Sequence, residues 1–427
     1  MKINQAVKLH THEGATAKHI SIEDQLKRTL LSCLLWEKGF YESGETIVDR
    51  IKNLARQCKP EFVAKLAIQA RTENKLRHAP LLLLLTLKGK VATDTIYHVI
   101  NRPDELAELI ALYWMNGKRP LPAAMKRGLA KAFTKFDEYQ LSKWNRDGAI
   151  KLRDVMFLVH PKPGKEMESA FKKLANKTLS PPDTWESRLT GGQDKKTVFE
   201  DLLTRNKLGY MALLRNLRGM LEKGVNLELI KKRLSETKGI VLPYRFIAAA
   251  KHAPSLEPDL DKAMMKLMES QAPMTGKTIL LVDVSGSMFY GKLSGKSELT
   301  YMDAACGLAI LMSGICPDLR VFTFSNHAVE VAPRKGMALR DAIENSQGHG
   351  GTDLGAAVRA VDLLEYDRLI VLTDEQSHTP VPDPKGNAWM INVATNQNGV
   401  GYGAWKHIDG FSESCIEYIQ QYETANY

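Results

Sequence analysis

The 427 residues exceed what one hydrophobic core usually organises, and a composition of 44% hydrophobic and 25% charged residues predicts two folded domains, or a domain beside a repeat array. Lys and Arg outnumber Asp and Glu by 48 to 31 over residues 1–270, a net of +17, while residues 271–427 hold 11 against 18, a net of −7. The basic part and the acidic part are therefore different objects, and a polyanion is attracted to the first and repelled by the second.

Cys33, Cys58, Cys306, Cys316 and Cys415 are odd in number, far apart and without CxxC spacing, which argues against a disulfide framework and a zinc site. The start, MKINQAVKLHTHEG, has no apolar signal core, and the longest strongly apolar stretch, PLLLLLTL at 80–87, falls far short of the ~20 residues of a membrane span. A soluble, cytoplasmic protein with no membrane partner is expected.

From residue 22 to about 270 the period is helical. DQLKRTLLSCLLW (24–36), PEFVAKLAIQARTE (60–73), PLPAAMKRGLAKAF (120–133), LGYMALLRNLRGMLEKG (208–224) and LPYRFIAAAKH (242–252) place apolar residues at three- and four-residue intervals. Pro60, Pro80, Pro120 and Gly224 punctuate them. Many helices with short loops and almost no strand signal predict stacked helical pairs rather than one bundle. A domain of residues 1–270 is expected.

Charge in this part concentrates between Gly117 and Lys177. Lys118 and Arg119 precede a helix expected to start near Pro120, Lys126 lies within it, and Arg127, Lys131 and Lys135 recur every four residues along one face. Lys143, Arg146, Lys151, Arg153, His160, Lys162, Lys165, Lys172 and Lys173 continue the run, and Arg215 and Arg218 follow in LLRNLRGM. Such cations neutralise phosphates, with binding that falls as salt rises. Few aromatic residues are interleaved, so stacking on bases is expected to be secondary to backbone contact. A charge run on a helix is also what a plain solvated face looks like; His160 fits a core histidine too, and Arg215 and Arg218 equally fit arginines bridging helices. His10 and His12 read as a flexible terminus.

Around residue 277 the pattern changes. TILLVDV (278–284), LRVFTF (319–324), DRLIVLTD (367–374) and AWMINVA (388–394) are short apolar runs, with helix-like MDAACGLAILMSG (302–314) and TDLGAAVRAVDLL (352–364) between them. Strands apolar on both faces, alternating with helices, predict a mostly parallel sheet covered on both sides over residues 271–427. Ligands of such sheets sit at the carboxyl ends of the strands, where Asp283 and Asp374 fall.

Asp283, Ser285 and Ser287 form DxSxS directly after the first strand, GGTDLG (350–355) sets Thr352 before a helix, and Asp374 closes DRLIVLTD. Hard oxygen ligands with few charges suit Mg²⁺. A chance loop whose Ser and Thr cap helices is the alternative. No GxxxxGK[ST] loop, nucleophile or general base accompanies these residues, so no enzyme is expected.

DVSGSM, GGTD and the strand-terminal LTD resemble the metal-ion-dependent adhesion site of von Willebrand factor A domains. The resemblance implies coordination of the ion by Ser285, Ser287 and Thr352, with ligand waters held by Asp283 and Asp374, and an open position for a partner protein's carboxylate. Upstream, PEFVAKLAIQARTENKLRHAPLLLLL (60–85), IKLRDVMFLVHPKP (150–163), DTWESRLT (183–190), LGYMALLRNLRGM (208–220) and LPYRFIAAA (242–250) look like the TROVE domain of the Ro autoantigen family. That resemblance implies an α plus α/β protein, a ring of HEAT-like helical repeats closed by a doubly wound A-type domain. It further implies RNA binding in noncoding-RNA quality control, with single-stranded ends of misfolded RNAs entering a basic hole and Y-like small RNAs on the outer surface. An exoribonuclease, or another protein offering a carboxylate to the metal, is the implied partner. The basic residue before the family's aspartate falls on Arg153 and the histidine before the proline segment on His160; where relatives often carry another basic residue, this chain has Phe157. A metal-dependent protein-binding scaffold with an incidental basic surface is the competing expectation.

Overall fold

The computed structural model describes residues 9–10, 15–17, 21–30, 44–74, 76–145, 148–237, 241, 243–269, 271–293, 298–394, 404–411 and 413–425. Arg146 and His12 lie outside them. The chain divides into two compact units, one of residues 25–30 and 48–192, the other of residues 1–24, 31–47 and 193–427.

Two strands, β1 (Leu9–His10) and β2 (Thr16–Ala17), pair antiparallel, and helices α1 (Ile22–Leu30) and α2 (Gly44–Gln57) follow. The helices of the 48–192 unit continue with α3 (Pro60–Thr72), α4 (His78–Leu84), α5 (Gly89–Val99), α6 (Pro103–Tyr113) and α7 (Ala123–Phe133). α8 (Glu138–Trp144), α9 (Leu152–Val159), α10 (Glu168–Asn176) and α11 (Trp185–Thr190) complete it. Pro60 and Pro103 open α3 and α6, at a position whose N–H has no intrahelical partner anyway. Alternate helices stack: α3 on α5, α5 on α7 and α7 on α9 in one row, α4 on α6, α6 on α8 and α8 on α10 in another. These are rows of stacked helical pairs. The α5–α7 contact is close because Gly128 has no side chain; a Cβ there would stand 2.8 Å from the Ile96 Cβ.

In the second unit, α12 (Lys195–Thr204), α13 (Tyr210–Glu222), α14 (Leu227–Ser235), α15 (Pro243–His252) and α16 (Glu257–Glu269) repeat this alternation. Their rows run directly into the α/β part, α15 and α16 packing on α18 (Tyr301–Ile315) and α16 on α19 (Gly336–Glu344). The helical and α/β segments on either side of residue 270 therefore share one compact body. α18 is buried on nearly every side, as its continuous apolar sequence requires.

The sheet has six strands: β3 (Thr278–Asp283), β4 (Leu319–Phe324), β5 (Ala328–Glu330), β6 (Arg368–Thr373), β7 (Asn387–Asn392) and β8 (Lys406–Asp409), in the order β5-β4-β3-β6-β7-β8. Only β5, at the edge, is antiparallel. β3 and β6 are buried throughout, which accounts for their unbroken apolar sequences. One face carries Leu281, Val371 and Met390 against Leu354, Ala357, Val358 and Val361 of α20 (Leu354–Val361). On β7 the ring of Trp389, between Ala388 and Met390, meets Tyr418 and Tyr422 of α21 (Glu413–Ala425) at 6.0 and 5.2 Å. β3 lies between β4 and β6 in the sheet, and the strand order runs outward from it first to one side and then to the other, so the carboxyl end of β3 is the topological switch point.

Candidate nucleic-acid surface and metal loop

At that switch point a short helix, α17 (Gly286–Tyr290), begins directly after β3. Asp283 is fully buried; its Oδ1 accepts from the Ser285 N–H at 2.9 Å and its Oδ2 from the Thr373 hydroxyl at 2.6 Å. The parallel register, Val282 beside Leu372, brings Asp283 and Thr373 together. The Ser285 and Ser287 hydroxyls lie 3.3 Å apart, and Ser287 hydrogen-bonds the carboxyl of Asp374, which is buried just past β6. The Gly286 N–H donates to the Gly350 carbonyl at 3.2 Å, and the Thr352 carbonyl accepts from the His378 N–H at 3.1 Å and the Ser377 hydroxyl at 3.3 Å. Three loops are thus laced together at one end of the sheet. Burial pushes the carboxyls of Asp283 and Asp374 well above the usual range; the charge of Asp283 adds to the rise at Asp374, while hydrogen bonds from Ser285, Thr373 and Ser287 oppose it.

Two neighbouring buried carboxylates among hydroxyls form a hard-oxygen set, and their mutual repulsion is what a divalent cation relieves; the residues fit one. Among the described residues no group of three or more His, Cys, Asp or Glu clusters for a metal, so this set draws on Ser and Thr. Residues that the motif did not announce hold the loops. Ser325 at the end of β4 donates to the Gly351 carbonyl and accepts from the Gly350 N–H, both at 3.0 Å. Glu375, at φ 59° and fully buried, accepts from His407 on β8 at 2.8 Å. Only strand register could have found Thr373, and nothing local signals His407.

Residues 48–192 hold 27 Lys and Arg against 15 Asp and Glu. Lys118 and Arg119 lie exposed in a turn stapled by its own aromatics: Trp114 Nε1 donates to the Arg119 carbonyl at 2.6 Å and the Tyr113 hydroxyl to that of Pro120 at 3.2 Å. The Arg119 guanidinium sits 4.1 Å from the Tyr113 ring centre, and the Lys118 ammonium 5.3 Å from Trp114. Lys131 lies 4.5 Å from Tyr97, Lys143 5.7 Å from Tyr139, and Arg153 5.1 Å from Phe157, whose ring is 51% exposed. Cations here come paired with the few aromatic rings there are: Trp114, Tyr139 and Phe157 stand four residues from their cations and Tyr113 six, within one helical turn or its cap, and Tyr97 reaches Lys131 from another helix.

The four-residue stripe also ends early. α7 stops at Phe133, and Lys135 beyond it donates to the Tyr97 carbonyl at 2.7 Å, the Asn101 side chain at 3.2 Å and the Ile100 carbonyl, closing the end of α5. Helix C-terminal carbonyls attract a cation, so tertiary position overrides the spacing. Arg127 and Lys126 are exposed on α7, and Lys151, His160 and Lys162 are exposed around α9. His160 sits at φ 50° as the cap of α9, on the surface and not in a core. Arg153 Nε donates to the Ala175 carbonyl at 2.7 Å, tying α9 to α10. Arg215 and Arg218 belong to the other unit; both are exposed, Arg218 paired with Glu222 at 2.9 Å along α13, and they are not helix bridges.

Residues 2–180 and 176–291 match the TROVE domain family. The chain belongs to that family. Its likeness to the Ro autoantigen family, read from the sequence, is borne out by this match, and TROVE and Ro proteins are associated with RNA binding. This TROVE protein is similar to Telomerase protein component 1 of Mus musculus, 33% identical over 110 residues, and to that of Rattus norvegicus, 31% identical over 110 residues. The matched stretch spans 24% of this chain and 4% of each relative. In fold it resembles the crystal structure of the Deinococcus radiodurans RO (RSR) protein, with a TM-score of 0.66 and 18% identity over 94% of this chain and 99% of that one.

Proposed function

We propose that this chain binds single-stranded noncoding RNA through the cation–aromatic surface of its 48–192 unit and takes part in noncoding-RNA quality control without catalysing a reaction. The observation that carries the reading is the pairing of exposed Arg119, Lys118 and Lys131 with Tyr113, Trp114 and Tyr97. Cations neutralise backbone phosphates, and aromatic rings held beside them offer faces on which unpaired bases stack. The single-stranded ends of misfolded RNAs are the ligands this suits; Y-like small RNA is the second class we infer, with Arg153 and His160 in its contact. On this reading the helical rows act as HEAT-like repeats.

The sheet and its loops act as a von Willebrand factor A-type domain. Asp283, Ser285, Ser287, Thr352 and Asp374 would hold Mg²⁺, and the ion, when bound, supplies an open position for a carboxylate of a partner protein such as an exoribonuclease. The chain's own contribution is to keep its hydroxyls and carboxylates in one laced cluster. A cytoplasmic location is part of the same proposal.

Fluorescence anisotropy with single-stranded RNA over a salt series tests the RNA arm. Binding should weaken steeply as salt rises, and the joint change Lys118→Ala, Arg119→Ala, Lys131→Ala should lower affinity and flatten the log–log salt slope by about 2, since each single-strand phosphate contact contributes about 0.7. An unchanged slope and affinity would reduce the surface to a solvated face and favour the scaffold reading.

A further inference from the structure

Where the helical rows of the second unit meet the helices of the sheet, a cavity of about 380 Å³ opens between Lys251 of α15, Glu257 at the start of α16, Phe289 of α17, and Arg340 and Glu344 of α19. Its volume lies at the small end of ligand pockets, room for an amino-acid-sized molecule. Both cations in its wall are already committed. The Lys251 ammonium lies 2.7 Å from Asp303, which also accepts from the Thr300 N–H at 2.8 Å, and Arg340 lies 2.6 Å from Asp341 and 3.7 Å from Glu257.

Glu344 is the charge left over. Among the described residues its half-buried carboxylate makes no hydrogen bond or ion pair; burial and the charge of Asp303 hold its carboxyl above the usual range, against the pull of Arg340 and Lys251. Beneath it lies a second unsatisfied group: Asp303 is fully buried, and its Oδ1 has no hydrogen-bond partner. The lining itself holds two cations and two carboxylates, but Lys251 is drawn to Asp303 behind the wall and Arg340 to Asp341 beside it, so the carboxylate of Glu344 is left without a cation of its own. An anion would meet that unpaired carboxylate, and a neutral guest would leave Glu344 uncompensated. Phe289 adds an aromatic wall. Its ring stacks on His349 at 4.4 Å and is still 39% exposed.

We propose that this cavity binds a small organic cation bearing a guanidinium group, with Glu344 as its counter-charge and Phe289 as its aromatic wall. A guanidinium is flat, forks onto a carboxylate and stacks on an aromatic ring, and it matches this pair better than an anion or an uncharged amide. The site is separate from the metal loop, yet Phe289 follows Ser287 by two residues, so a guest here touches the short helix that carries Ser287.

Calorimetric titration of the full chain with agmatine, and with N-carbamoylputrescine, in which a neutral urea replaces the guanidinium, tests the assignment. Agmatine should bind at least about tenfold more tightly than the urea analogue, and Glu344→Gln should weaken agmatine at least about tenfold while the melting temperature is kept. Phe289→Leu, a milder change, should weaken it several-fold and serves if the first variant folds poorly. An end-blocked Gly-Arg-Gly peptide separates the sources of the group: tighter binding than agmatine points to an arginine side chain of a protein, weaker binding to a free metabolite. No binding of agmatine at millimolar concentration, equal binding of the urea analogue, or full affinity in both variants would overturn the proposal.

Discussion

Lys131 and Lys135 approach the same ring, Tyr97, at 4.5 and 4.8 Å, yet they have opposite roles. Lys131 is exposed and available to a phosphate, whereas Lys135 spends its ammonium on the carbonyls that end α5. Burial lowers the pKa of Lys135, with Arg71 adding to the drop and Glu105 opposing it. Removing a charged donor from several acceptors that are partly buried costs about 1–3 kcal/mol. Lys135→Met should therefore destabilise the fold by that amount in chemical denaturation and leave RNA affinity unchanged, while Lys131→Ala should do the reverse. Equal effects of both on RNA binding would show that spacing, not position, decides. The sequence placed these lysines on one stripe because it displays periodicity, and periodicity does not show where a helix stops or whose carbonyls lie beyond its end. Phe157 is likewise readable as an aromatic near the charge run and as a departure from a basic residue; that its exposed ring partners Arg153 depends on the turn of α9.

Elements whose pattern is strong on its own were legible. β3, β4, β6 and β7 fall where unbroken apolar runs predicted them, and α18 announces itself by being apolar on all sides. β5 and β8, three and four residues long and mostly not fully buried, carry too little pattern to read, and α21 escaped because what holds it, its rings against Trp389 and a buried ion pair with β6, lies on other elements. Glu423 on α21 accepts from Arg368 Nε of β6 at 2.8 and 3.0 Å, and from Asn387 and Trp389 of β7; Arg368 also donates to the Thr278 hydroxyl at 2.8 Å. Both partners are buried, so Glu423→Gln should lower stability by about 3 kcal/mol, the cost of breaking a buried pair and stranding its cation. Burial pushes the Glu423 carboxyl up, but the hydrogen bond and charge of Arg368 outweigh it and hold it below its ordinary 4.5. A carboxyl depressed on folding stabilises above its unfolded pKa and loses that contribution as pH falls through the folded one. The difference between wild type and variant should be full at neutral pH and shrink below about pH 4.5; a difference that persists unchanged into acid would assign the loss to packing.

At the scale of the molecule, the change of composition near residue 270 marked a change of fold but not the boundary of a compact body, since α12 to α16 pack into the unit that holds the sheet. Periodicity sees elements, and compactness depends on contacts such as Gly307 of α18 lying so close to α15 that a Cβ would stand 2.9 Å from the Tyr244 nitrogen. The division proposed for function survives that regrouping: the cation–aromatic pairs of the proposed RNA surface lie in one unit and the laced carboxylates in the other. Binding of Mg²⁺ to the folded state alone raises stability by about 2.7 kcal/mol at a hundredfold excess over its dissociation constant. The double change Ser285→Ala, Ser287→Ala removes two oxygens of that set, and no atom of the 48–192 surface. Thermal melting with and without Mg²⁺ should then show a stabilisation in the wild type that the double variant lacks, while anisotropy with single-stranded RNA gives the same affinity for both. If RNA affinity fell with the melting temperature intact, the nucleic acid and the ion would be reading the same residues, and a shared site on the sheet would replace the two that the charge distribution separates.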